Sequence, residues 1–152
     1  MKQKNWYRTM ALRTNDIAGK TIPSILGYHI GSIEYLEAAK AACYQSTDSA
    51  EVKYTIGVNV TAQPGDSGYK GNAHLTREEP HLLDYMHEVG TDGTFIGHQH
   101  SINTSVYYDG IRWTYGVKTG MYCDYPSEMG GTLIKFNDNS STFEVERIIV
   151  NP

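Results

Sequence analysis

The sequence predicts a mixed α/β chain of the α+β kind. Three observations lead there. Helix-forming runs alternate with short apolar runs as far as Val89, and from Gly93 onward the chain reads as short strands broken by turn signals. No linker composition divides it, so residues 1–152 read as a single domain. With 39% hydrophobic residues and 12 tyrosines, the chain has enough apolar side chains to form a core and is not disordered.

The elements follow in order. Asn5 to Thr14 places Trp6, Met10 and Leu12 among arginines and reads as a helix closed by Gly19. Thr21 to His29 is a short apolar run that suits a buried strand, with Pro23 near its start, where a missing N–H costs least. Ile33 to Tyr44 is rich in helix formers. Gln45 to Gly71 contains QPGDSG at 63–68 and predicts a long, partly irregular connection. Thr76 to Val89 reads as a helix. Thr76 and Glu79 are spaced as a capping box, Leu82, Leu83 and Met86 make its apolar face, and Gly90 ends it. Pro80 suggests a start a few residues later.

Thr94 to Gly97 is a short apolar strand. Ser105 to Tyr108 and Ile111 to Val117 flank Asp109-Gly110, a two-residue hairpin signal. Thr132 to Phe136 and Thr142 to Val150 flank a polar turn and form a second hairpin. The second half therefore reads as mostly antiparallel.

Charge and composition exclude several classes. Thirteen basic and 17 acidic residues give a net charge of −4, with no clustered basic excess for nucleic acid. No run approaches the ~18 apolar residues of a membrane span. Met1 to Arg8 lacks the apolar stretch of a signal peptide, which makes a cytoplasmic location the default expectation. Cys43 and Cys123 are too few and too far apart for a disulfide framework and read as free thiols.

The residues that point to chemistry are histidines. His98 and His100 in Gly97-His98-Gln99-His100 follow an apolar strand, and side chains two apart share a face of extended backbone. Neutral imidazole binds zinc, iron and manganese. His29 ends another apolar run, where open α/β sheets place their sites. Each histidine alone also fits an ordinary surface or strand-end role. His81 and His87, six residues apart, do not share a helical face and read as exposed.

These blocks resemble a known family. Ile96 to Asn103 (IGHQHSIN), Gly110 to Gly120 (GIRWTYGVKTG) and Tyr125 look like the C-terminal part of the calcineurin-like metallophosphoesterases. The closest branch is the purple-acid-phosphatase-like one, with its GHDHxN and GIxxxYGxKTG patterns. Ile22 to Tyr35 (IPSILGYHIGSIEY) is similar to that branch's IPSxxFFHIPLPEY, and Trp6 to Thr14 resembles the helix before it. The similarity spans nearly the whole chain in the family's order.

The resemblance implies the C-terminal half of a four-layer α/β/β/α sandwich: a mixed N-terminal part, then antiparallel hairpins. It implies a binuclear centre of iron, manganese or zinc. His29 and His98 match ligands of one metal and His100 a ligand of the other. Two metals about 3.5–4 Å apart activate water for in-line attack on a phosphate ester. Asn103, Tyr115, Tyr125, Glu34 and Tyr35 match positions near the site, and ordinary packing also accounts for each.

Departures qualify the match. Gln99 replaces Asp, and Gly31-Ser32 replaces Pro-Leu beside His29. The family's D-x-H, GDxxD and GNH motifs, which carry its carboxylate ligands and general acid, do not occur before residue 29. GDSGY at 65–69 and GNAH at 71–74 come in the wrong order and read as surface loop. The chain therefore reads as a partial domain lacking the N-terminal metal-binding half, weakly active or inactive alone. Two alternatives stay open. One is a non-catalytic interaction module whose partner is a second copy or a separate N-terminal half. The other is a mononuclear zinc site on His29, His98 and His100.

Overall fold

The computed structural model describes residues 2–29, 31–32, 34–35, 37–38, 52–56, 82–98, 100, 104–120, 129–137 and 143–150. The expected QPGDSG loop and capping box, and the Cys43, Cys123, His81, Gln99, Asn103 and Tyr125 positions, lie outside these residues.

The first helix, α1 (Lys2–Ala18), runs further than the apolar spacing suggested. Gly19 ends it at a φ of 65°, with Lys20 N–H donating to Asn15 O at 3.2 Å, the six-to-one bond of a Schellman cap. Strand β1 (Ser24–Tyr28) follows. Residues 34, 35, 37 and 38 are helical, inside the run that the helix formers mark. Strand β2 (Val52–Ile56) falls where a long irregular connection was expected. Its partner is distant in sequence, so local turn chemistry did not reveal it. Helix α2 (Leu82–Val89) fills the described part of the predicted run, and Gly90 ends it at a φ of 80°. Then come β3 (Thr91–Ile96), β4 (Ser105–Tyr108), β5 (Ile111–Tyr115), β6 (Gly130–Phe136) and β7 (Phe143–Ile149).

Five strands make one sheet in the order β1-β3-β5-β4-β2, and β6 and β7 make a two-stranded antiparallel sheet. Both predicted hairpins form. Asp109 and Gly110 have φ of 48° and 74°, the left-handed pair that suits a tight hairpin turn between β4 and β5. The antiparallel expectation fails at β3. This strand pairs parallel with both β1 and β5. A hairpin motif specifies only its own two strands, whereas the neighbours of β3 are reached by crossovers that leave no turn signature.

Alternation sorts the large sheet into two faces. Leu26, Tyr28, Ile96, Trp113 and Tyr115 share one face and pack with Met86, Leu82 and Leu83 of α2 and with Tyr35 and Ala38. Gly93, Phe95 and Arg112 lie on the other. There the Phe143 ring meets Phe95 at 5.9 Å between centroids and lies under Arg112, while the absent Gly93 side chain leaves it room. Among the described residues the layers are thus helix, sheet and hairpin. A fourth layer is not among them. No helix among them is long and apolar enough to cross a membrane.

Candidate functional site

Two strand ends bring two histidines together. Tyr28 of β1 is in register with Ile96 of β3, and both strands run the same way. The residues that follow therefore leave the sheet side by side. Gly97 N–H donates to His29 O at 3.1 Å and ties the two turns together. His98 Nδ1 lies 3.3 Å from His29 Nε2, with the rings edge-on at 5.0 Å between centroids.

The backbone at His98 has a φ of 75°, which a non-glycine residue adopts at a cost of about 1–3 kcal/mol. That conformation aims the ring at His29 instead of continuing the strand. Gly97 eases the approach: a Cβ there would stand 3.3 Å from His29 Nδ1, so the ring would have to give by a few tenths of an ångström.

The pair fits a shared metal ion. Two nitrogens each about 2.0–2.1 Å from a tetrahedral zinc lie about 3.3–3.4 Å apart. The observed 3.3 Å separation matches that spacing. In the metal-free pair the same geometry suits one N–H donating to one lone pair. His100 is exposed, and no group of three His, Cys, Asp or Glu side chains closes around a metal among the described residues. The structure thus assembles two of the three predicted ligands.

The other candidates have defined places. Tyr115, at the end of β5, is buried, packs edge-on against Tyr35 at 4.6 Å, and faces Gly31 in the turn after His29. Glu34 is 1% exposed, and its Oε1 accepts the Leu82 N–H at 2.7 Å. A carboxylate at a helix N-terminus meets both its open N–H groups and its dipole. Glu34 therefore holds the start of α2. Asn103 and Tyr125 lie outside the described residues.

Two features escaped the sequence reading. A cavity of about 600 Å³ opens between α1 and β1, lined by Trp6, Tyr7, Leu26, Tyr28, Glu34 and Leu82 among others. Beside it the Tyr28 hydroxyl bonds Ser32 Oγ at 3.1 Å, and burial raises the Tyr28 phenol above its ordinary range, so it stays neutral. No local pattern signals a space between elements. Comparison with protein-family models, with curated proteins and with solved structures finds no match to this chain.

Proposed function

We propose that the chain contributes the imidazole ligands of a metal-dependent phosphoesterase. The observation that supports this most is the 3.3 Å approach of His29 Nε2 and His98 Nδ1 at the carboxyl ends of adjacent parallel strands. The resemblance of the GHxH, YGxKTG and IPS-to-EY blocks to calcineurin-like phosphoesterases supplies the reaction class. In this reading His29 and His98 hold one metal and His100 a second. A metal pair acidifies water and polarises a phosphoryl oxygen. This chain's part is to orient the ligands: strands β1 and β3 fix the spacing, and Gly97 leaves room beside the His29 ring.

Imidazoles are neutral, so they compensate little of a metal's charge. Carboxylates from a second polypeptide segment complete the centre, and the chain alone turns over phosphate esters slowly or not at all. Cobalt(II) titration followed by visible absorption tests the metal reading. Binding that His29→Ala and His98→Ala both abolish supports it, and binding indifferent to either removes it. A nitrophenyl phosphate assay with manganese, iron or zinc tests the rest. Robust turnover by the isolated chain contradicts the need for a partner.

One observation favours an interaction module instead. Trp6, Met10 and Ile17 are spaced i, i+4 and i+11 along α1, on one helical stripe, and are 67%, 43% and 79% exposed. Sedimentation equilibrium discriminates: self-association weakened by Trp6→Glu supports this reading, and a clean monomer at high concentration opposes it.

A further inference from the structure

We infer that Tyr115 is a positioning residue for His29, acting through a contact that only glycine at position 31 permits. The consequence for metal binding rests on the reading above; the positioning itself does not.

His29 has just left the sheet, and Gly31 and Ser32 are buried two and three residues later. A Cβ at Gly31 would overlap Tyr115 Oη and stand 3.2 Å from Tyr115 Cζ. The backbone of the turn therefore rests directly on the end of the phenol ring. Gly31 is not in the left-handed region, so its need for glycine comes from this neighbour and not from its own φ.

Tyr115 is itself well fixed. It pairs with Ile96 across the sheet, and the following Gly116 N–H donates to Ile96 O at 2.9 Å. Its ring is wedged against Tyr35 at 4.6 Å. Ile96 is the residue before Gly97-His98. One strand end therefore contacts the His98 turn through backbone and the His29 turn through the phenol. The Gly97 to His29 hydrogen bond closes the loop between them. Moving Gly31 away from Tyr115 pulls on His29, two residues earlier, relative to a partner that stays in place. Ser32, held by the Tyr28 hydroxyl, anchors the far side of the same turn.

The contact predicts compensation. Gly31→Ala adds a methyl where the phenolic oxygen sits, and Tyr115→Phe removes that oxygen. The double variant exchanges one atom for the other. The readout is the tautomeric state of His29 and His98 in the metal-free protein, by long-range proton–nitrogen correlation. The shared hydrogen bond couples the two tautomers: Nδ1–H on His98 goes with an acceptor Nε2 on His29, and Nε2–H on His29 with an acceptor Nδ1 on His98. With the rings held in place, one of these pairs is expected to dominate in the native protein. Gly31→Ala releases both to the mixed tautomers of free imidazole, and Gly31→Ala with Tyr115→Phe restores them. Cobalt(II) affinity follows the same order, weakened roughly tenfold or more by Gly31→Ala and recovered in the double variant. Fixed tautomers surviving Gly31→Ala overturn the inference. So does failure of Tyr115→Phe to rescue it, and so do mixed tautomers in the native protein. If Gly31→Ala does not fold, the double variant decides alone: retained tautomers support the contact and lost ones overturn it. Fixed, rescuable tautomers without cobalt binding uphold the inference and sink the metal reading.

Discussion

His98 spends backbone energy on its orientation. A left-handed φ of 75° is comfortable for glycine and costly for histidine. His98→Gly is therefore expected to stabilise the metal-free fold by about 1 kcal/mol in chemical denaturation while abolishing cobalt binding. A loss of stability shows that the His29 contact outweighs the strain. Trp113 is the opposite kind of residue. It is fully buried in β5, and its indole N–H donates to Tyr108 O at 3.2 Å. Trp113→Ala leaves a large void, at an expected cost of about 3–5 kcal/mol in denaturant unfolding. The histidines at 29, 98 and 100 stood out in the sequence because imidazoles after apolar runs are unusual. The strain at His98 was invisible, because φ is set by what the ring must reach.

Elements are joined by a few specific contacts. Helix α1 buries none of its side chains and leans on α2 and the start of β3 through polar groups. Arg8 pairs with Glu88, Tyr7 bonds Thr91, and Asn15 Nδ2 donates to Val89 O at 3.0 Å. Arg8 holds the Glu88 carboxyl below its ordinary range. A depressed carboxyl stabilises the fold above its unfolded value of about 4.3 and loses that contribution as pH falls through the folded value. Protection of α1 amides, measured relative to their intrinsic exchange rate at each pH, should therefore fall on acidification or added salt, and Glu88→Gln should remove the acid-dependent part. The start of α2 depends on Glu34. Glu34→Ala is expected to cost about 1–3 kcal/mol by thermal or chemical unfolding, and Glu34→Gln, which keeps the acceptor, considerably less. The sheet-to-hairpin contact turns on Gly93, whose Cβ would overlap Phe143 and stand 3.2 Å from Arg112 O. Gly93→Ala should cost about 1–3 kcal/mol through overpacking. Phe143→Leu should recover part of it if the ring is the obstacle. The helices, both hairpins and the first strand were legible from apolar spacing, glycine stops and Asp109-Gly110. Strand β2 was not, because its pairing with β4 joins residues about fifty positions apart.

At the scale of the molecule, the parallel placement of β3 between β1 and β5 creates the candidate site. An antiparallel neighbour would have sent the ends carrying His29 and His98 to opposite edges of the sheet. The sequence by itself determined the element types, the closing glycines, the Asp109-Gly110 hairpin and the identity of the imidazoles. These follow from dihedral preference and the period of apolar residues, which act within a few positions. Only the tertiary structure decided strand order, the 3.3 Å approach of the two rings and the Gly31–Tyr115 contact. Each depends on packing between segments far apart in the chain, where one missing Cβ sets how closely two elements meet.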